Sequence, residues 1–325
     1  MDSSRIFLIG QGPTALTALQ SLVERFRVIA IVRQRASQSV SADPVEEEAR
    51  RSGVPVYPHT SPARVANLVE ELQPDCVVVS SYDRVLPGDL LARSRFVNVH
   101  YSALPAYRGR ANVNWAIING EPHTAITIHR IEPGLDAGRI LYQTIVPIGP
   151  RDTVGALYDR LNQLQRLHLA ETLSRHLDGF QGVSQNEGEA SYGCTRTPDD
   201  GLIDWTAGTA NIDRLIRALS DPFPGAFGVH EGRRLIIWRA VPLESAPRYA
   251  GRIPGRVVGI SRQEGYVDVL TGDGAIRVLE VQQEDGVRRR AADVIRSVKV
   301  SLSLSPLALL DRIRQLETRL GEAKK

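Results

Sequence analysis

The chain has 325 residues, 42% hydrophobic and 24% charged, with a net charge of +3, which suits a soluble globular enzyme of two domains and excludes a disordered or fibrous chain. No run is long enough to span a bilayer, and Met1 to Arg5 lacks the basic start, apolar core and cleavage site of a signal peptide. Cys76 and Cys194 offer neither a disulfide framework nor a metal-ligand spacing, so a reducing, cytoplasmic setting with no bound metal and no membrane partner is expected.

In chain order, residues 6–9 read as a strand and 13–25 as a helix; 28–32 is the next strand. Residues 44–52 and 63–72 have helical spacing, 76–80 is a buried strand, and another strand follows around Asn98 and His100. This alternation predicts a parallel, right-handed, doubly wound α/β sheet of Rossmann-like type. Gly10-Gln11-Gly12 invites a dinucleotide-binding reading, but the third glycine of that fingerprint falls at Ala15 and no acidic residue closely follows Val32. A tight strand-to-helix turn explains the two glycines.

Residues 153–179 read as one long amphipathic helix with Leu157, Leu161, Leu164, Leu167 and Leu177 on its apolar stripe. A catalytic domain is therefore placed at 1–182 and a linker at 183–195. Residues 196–305 hold a short helix, 212–219, and strand-like runs at 235–238, 256–260, 266–270 and 276–281, a pattern for a small OB-like β-barrel. The basic run at Arg288, Arg289 and Arg290 is countered by Glu284, Asp285 and Asp293 and reads as solvated surface. The tail, 306–325, is helical by the recurrence of Leu307, Leu310, Ile313, Leu316 and Leu320; it could cap the β-domain or pair with another subunit in a homo-oligomer.

The chemistry concentrates in the stretch from Val97 to Arg110, VNVHYSALPAYRGR. Side chains on a strand alternate faces, so Asn98 and His100 share one face and Val97 and Val99 the other. The strand halts before Pro105 and Gly109, at the end where open α/β sheets bind ligands. An amide donor beside an imidazole suits acyl transfer, one polarising a carbonyl and the other handling a proton. A second alternating strand, Ile126-Thr127-Ile128-His129, leads to a loop in which Gly134 and Gly138 bracket Asp136, and this loop can return a carboxylate to the Asn98/His100 face. His129 is read as a packed or hydrogen-bonded structural residue.

The set N-x-H-x-S-x-L-P-x-Y-R-G, then N-W-x-x-x-N-G-E, then D-A-G-x-I-x-x-Q resembles the folate-dependent formyltransferases, which include glycinamide ribonucleotide, methionyl-tRNA and sugar N-formyltransferases. Thr197-Pro198-Asp199-Asp200, Asp204-Trp205 and the run Pro222 to Phe227 resemble the C-terminal domain shared by the tRNA formyltransferases and the formyltransferase acting on UDP-4-amino-4-deoxy-L-arabinose. The latter resemblance covers almost the whole chain. It implies transfer of a formyl group from N10-formyltetrahydrofolate to an amine by Asn98, His100 and Asp136. It also implies that Arg84, Val85 and Leu86, with the loop Ile131, Glu132, Pro133, Gly134 and Leu135, hold the pterin largely through main chain. Ser102, Tyr107, Arg108, Gly109 and Arg110 are then expected around the acceptor, with Arg108 and Arg110 as candidates for a diphosphate.

Tyr101, Ala103 and Asn112 depart from the family pattern beside this loop and leave the acceptor open. A nucleotide-linked amino sugar is the first reading; methionyl-tRNA and a hydroxyornithine-type amine are alternatives, and a non-catalytic or NAD-binding Rossmann protein is the reading from another class. Against tRNA stands the acidic run Asp43, Glu46, Glu47, Glu48, where the tRNA enzymes carry a longer, lysine-rich loop suited to phosphates.

Overall fold

A computed structural model of the protein describes residues 3–33, 43–57, 61–82, 84, 86, 88–283, 286–304 and 306–323. The chain divides into two compact units: the first ends at Thr195 and the second begins at Arg196, which also takes in Ile117–Gly120 and Arg151–Gly155.

The strands of the first unit are β1 (Arg5–Gly10), β2 (Arg27–Val32), β3 (Val56–Tyr57), β4 (Cys76–Ser80), β5 (Arg95–His100), β6 (Arg108–Gly109), β7 (His123–Arg130), β8 (Ile140–Pro147) and β9 (Tyr192–Gly193). Its helices are α1 (Gly12–Val23), α2 (Pro44–Arg51), α3 (Pro62–Leu72), α4 (Gly88–Leu91), α5 (Asn112–Asn119) and α6 (Val154–Leu177). Seven strands form one sheet in the order β3-β2-β1-β4-β5-β7-β8. Strands β1 to β5 are mutually parallel, and β4 is buried along its whole length, as a strand covered on both faces must be. The expected parallel, doubly wound sheet is extended at one edge by an antiparallel pair, where β7 runs antiparallel to β5 and β8 antiparallel to β7. The β7–β8 connection spans only residues 131–139, too short for the crossover that a parallel pair requires.

Gly10 answers to this packing. A Cβ there would lie 2.2 Å from the carbonyl oxygen of Ser80 on β4, so the first glycine serves strand contact. The stripe of α6 is also corrected: Leu157, Leu161, Leu169 and Leu173 are buried with Gln165 among them, while Leu167 is 71% exposed. Gln165 occupies the buried face because it bonds polar groups near the strand ends. Its Nε2 donates to the carbonyl of Thr14 at 2.7 Å and its Oε1 accepts from the Tyr101 hydroxyl at 2.9 Å.

The second unit carries β10 (Ala226–His230), β11 (Arg233–Pro242), β12 (Val257–Ser261), β13 (Tyr266–Leu270), β14 (Ala275–Gln283) and β15 (Arg289–Arg290), with α7 (Thr209–Ala218), α8 (Ala291–Val294) and α9 (Pro306–Ala323). The antiparallel order is β10-β11-β14-β13-β12, with β15 on β14. Residues 300–302 bridge the two ends of this path: Val229 N–H donates to Leu302 O, Leu302 N–H to Gly255 O and Val257 N–H to Val300 O, at 2.8–3.0 Å. Trp205, Ile237, Val269 and Leu302 are buried in the resulting core. Of the basic run, Arg288 pairs with Asp221 and Arg290 with Asp293; Glu284 and Asp285 lie outside the described residues. The tail helix does not cap this domain, since Leu307, Leu310, Ile313 and Leu316 are 44–73% exposed.

Cys76 is buried in β4, and burial pushes its thiol up to about 12, whereas Cys194 is exposed. The thiolate is the reacting species. A native protein titrated with a disulfide reagent should therefore expose one fast thiol, removed by Cys194→Ser, and a second only after unfolding. Rapid native labelling of the Cys194→Ser protein would contradict the packing of β4.

Candidate active site

β5 ends in Asn98 and His100, on the face opposite Val97. They open onto a cleft of about 630 Å³ whose apolar lining includes Val79, Leu86, Leu91 and Ile131. The cleft lies beyond the C-terminal ends of β4 and β5 and has the size of a small-molecule site.

Asp136 reaches the same cleft from the β7–β8 connection. Its own backbone is left-handed (φ +49°), as is that of Gly134 (φ +106°). At Gly138 a Cβ would lie 1.8 Å from the carbonyl oxygen of Arg130, so only glycine closes the loop. One carboxylate oxygen, Oδ2, accepts the Gly109 N–H at 2.8 Å and lies 3.6 Å from His100 Nδ1. The other, Oδ1, lies 3.6 Å from His129 Nε2.

Hydrogen bonds fix the proton on His129 and constrain that on His100. His129 Nδ1 is 2.8 Å from the Arg130 carbonyl, which can only accept, so Nδ1 carries a proton. Burial, and then the neighbouring His100, hold the ring down to about 4. It is neutral, and its Nε2 is a bare acceptor. Asn98 Nδ2 donates to that Nε2 at 3.1 Å, which orients the amide and leaves its second N–H for the cleft. His100 Nε2 is 2.9 Å from the Tyr107 carbonyl and 3.0 Å from the Asn112 amide. The Tyr107 carbonyl can only accept and so favours a proton on Nε2 and a bare Nδ1 facing Asp136; the Asn112 amide works against this, because its Nδ2 also donates to the Gly109 carbonyl at 3.1 Å.

Asn98, His100 and Asp136 thus meet in one cleft, which is also lined by Arg84, Leu86, Gly109, Arg110, Ile131, Glu132, Pro133, Gly134 and Leu135. Val85 lies outside the described residues. Ser102, Tyr107 and Arg108 do not line it. Ser102 is buried and donates to the Ala106 carbonyl at 2.8 Å, and the Tyr107 hydroxyl donates to Glu121 at 2.6 Å. Arg108 is 1% exposed and bonds Glu187 and Gln185. As a diphosphate ligand it is corrected to a structural cation, its charge already met by Glu187. Gln185 also donates to the carbonyls of Asp136 and Gly138 at 2.7 Å each. The expected linker is therefore bound to the first unit: Gln185 and Glu187 tie the acceptor loop to the Asp136 loop, and β9 pairs with β6.

His129, read as a packed or hydrogen-bonded residue, and Asn112, read only as a departure beside the acceptor loop, help form the site, as does Gln185, which the sequence reading did not place. His129 carried a usable signal, since the alternation that sets Asn98 on β5 also aligns His129 beside it on β7. Gln185 carried none, lying 49 residues from Asp136.

The unfolded chain protonates a histidine near 6.5, while folded His129 resists protonation until about 4. Between those values the unfolded state binds more protons, so this group lowers stability as pH falls from 6.5 and has no effect above it. Urea midpoints measured from pH 7 to pH 5 should fall less steeply in His129→Gln than in the wild type, each unit of pKa difference being worth about 1.4 kcal/mol. Equal slopes would contradict a buried neutral ring.

The family described as Formyl transferase matches residues 28–173, and Formyl transferase, C-terminal domain, matches 196–299. The chain is 36% identical over 295 residues to a methionyl-tRNA formyltransferase of Caldanaerobacter subterraneus, covering 86% of this chain and 92% of that one. A methionyl-tRNA formyltransferase of Geobacter sulfurreducens is 32% identical over 99% of this chain and 98% of its own. The fold is shared with HypX from Aquifex aeolicus in complex with tetrahydrofolic acid (TM-score 0.66, 18% identity, 93% of this chain and 48% of that one). It is shared also with an N-formyltransferase from Helicobacter canadensis in complex with folinic acid and dTDP-3-aminofucose (TM-score 0.63, 18% identity, 85% and 99%). The chain belongs to the formyl transferase family and is a folate-dependent N-formyltransferase that draws its formyl group from N10-formyltetrahydrofolate.

Proposed function

We propose that the acceptor is the primary amine of a nucleotide-linked sugar and that Asn98, His100 and Asp136 carry the transfer. The observation behind the catalytic part is the convergence of His100 Nδ1 and Asp136 Oδ2 at 3.6 Å beside the Asn98 amide in one cleft. An amine has N–H groups to give to such acceptors and must lose a proton as it attacks. His100 Nδ1 takes that proton, Asp136 stabilises the imidazolium, and the proton is then available to the departing nitrogen. Asn98 supplies the donor for charge developing on the formyl oxygen. When bound, the folate supplies the activated formyl carbon. The cleft's apolar walls, and the main chain of residues 131–135 along its edge, suit a flat ring with donors and acceptors on its rim.

Two features support a small anionic acceptor. Arg110 is exposed at the cleft and makes no ion pair among the described residues, so it can meet a phosphate. Asp43 is paired with Arg33 and buried Glu48 with Arg51, so of the acidic run on α2 it is Glu46 and Glu47, with no ion pair among the described residues, that would oppose a phosphate-rich stem. The second reading, methionyl-tRNA, is favoured by the full-length identity to enzymes bearing that name.

Each of Asn98→Ala, His100→Ala and Asp136→Ala should lower kcat by about 100-fold or more with the fold retained; near-normal turnover of His100→Ala would refute the catalytic assignment. For the acceptor, formyl transfer to UDP-, dTDP- and GDP-amino sugars is to be compared with transfer to methionyl-tRNA at several salt concentrations. Turnover of an amino sugar, reduced by Arg110→Ala through KM, is expected. Efficient, salt-sensitive formylation of methionyl-tRNA with no amino-sugar turnover would establish the second reading instead.

A further inference from the structure

Asp136 presents its carboxylate from a left-handed backbone, φ +49°, a conformation that a residue with a side chain leaves unless it is held. Its main chain is gripped from outside the loop. Gln185 Nε2 donates to the carbonyls of Asp136 and Gly138 at 2.7 Å each. The other end of the same amide, Oε1, accepts from Nε and Nη2 of Arg108 at 3.3 and 2.8 Å. A carbonyl can only accept and a guanidinium can only donate, so the orientation of this amide is unambiguous, with both N–H groups and both lone pairs in use. Arg108 is fixed in turn. It is buried, and Glu187 accepts from its Nη1 and Nη2 at 2.8 and 2.6 Å.

We propose that Gln185 is a positioning residue for Asp136, and that Arg108 acts on formyl transfer through Gln185 rather than by binding the acceptor. The proposal rests on the catalytic reading of Asp136. Neither residue lines the cleft, so any effect on the reaction passes through the turn they hold. Without the amide, the turn is free to relax toward the right-handed backbone, and the carboxylate then leaves the Gly109 N–H and the 3.6 Å approach to His100 Nδ1. A displacement of about 1 Å at a reacting group can cost as much as about 100-fold in rate. Asp136 is assigned to stabilise a charge that forms on His100 only during the transfer, so its misplacement lowers kcat and leaves ground-state binding alone. Arg108 and Arg110, two residues apart, therefore act differently. Arg110 opens on the cleft and acts through KM; Arg108 is turned away from it and acts through kcat.

The test is a double-mutant cycle in the full-length enzyme, with turnover read on a UDP-amino sugar or methionyl-tRNA, whichever it formylates. Gln185→Met keeps the length of the side chain and removes the amide. It should lower kcat by about 10-fold or more, with KM for N10-formyltetrahydrofolate within about twofold of the wild type. In the Asp136→Ala background no carboxylate is left to position, and the same change should alter kcat by less than about twofold. Gln185→Glu keeps an acceptor for Arg108 but sets an oxygen against the two carbonyls, so it should behave like Gln185→Met; it takes that variant's place in the cycle if thermal melts show Gln185→Met unfolded. Arg108→Lys lacks the planar fork and should lower kcat in the wild type but not in Gln185→Met. A folded Gln185 variant with wild-type kcat, or an equal fractional loss with and without Asp136, would overturn the proposal and leave Asp136 catalytic. A rise in acceptor KM alone for Arg108→Lys would overturn the role given to Arg108. Near-normal turnover of Asp136→Ala would instead overturn the catalytic reading, and the proposal with it.

Discussion

One carboxylate joins the parts of this site that come from different places in the chain. Asp136 Oδ2 accepts the main-chain N–H of Gly109 and faces His100, while Oδ1 faces His129. The acceptor loop, the end of β5 and the end of β7 therefore share one charge. The sheet brings these elements near one another, but it does not by itself determine which nitrogen of each ring is bare. For His129 that follows from the Arg130 carbonyl, which can only accept and so holds a proton on Nδ1; for His100 the Tyr107 carbonyl favours a proton on Nε2 against the Asn112 amide on the same nitrogen. The result is a set of acceptors at the cleft, complementary to an amine, with the Asn98 amide oriented by His129 as a side-chain donor beside them.

Holding that arrangement costs backbone energy. Tyr107, Ala111 and Asp136 all adopt left-handed conformations, φ +58°, +57° and +49°, each worth roughly 1–2 kcal/mol against a residue with a side chain. All three lie in the loops that meet at the cleft, where strained residues tend to collect. The contacts that hold them are local. Gln185 bonds the carbonyls on either side of Ala137, and its own oxygen accepts from the buried Arg108 guanidinium, which Glu187 neutralises. Residues 183–193 therefore act as a strap over the two loops, although their polar composition reads as a tether.

Much of this was legible in the residues, and the exceptions share a physical cause. Period-two alternation was enough to put Asn98 and His100 on one face of β5, and the glycines around Asp136 announced a tight turn. The direction of β7 was not legible from alternation, because apolar periodicity is the same for parallel and antiparallel neighbours; the short β7–β8 connection was the available signal. The stripe of α6 was misread because Gln165 looks like a surface residue until Thr14 and Tyr101 are known to need its amide. Arg108 was misread for the same reason. Its partner Glu187 lies far along the chain, and a buried cation cannot be told from an exposed one by its neighbours in sequence. β10 was missed beside Gly228, where a Cβ would lie 2.8 Å from the Leu302 carbonyl oxygen, a close approach that only the closed sheet creates.

The central claim is that neutral His100 carries its proton on Nε2 and presents Nδ1 to Asp136. Nitrogen-15 NMR of the histidine-labelled enzyme, with His100 assigned by its absence in His100→Gln, reads the tautomer directly at a pH where the ring is neutral. A protonated-type shift at Nε2 and a bare-type shift at Nδ1 are expected. The reverse pattern, with the proton on Nδ1, would contradict the Tyr107 hydrogen bond as the interaction that sets the site and would leave His100 without a base facing the cleft.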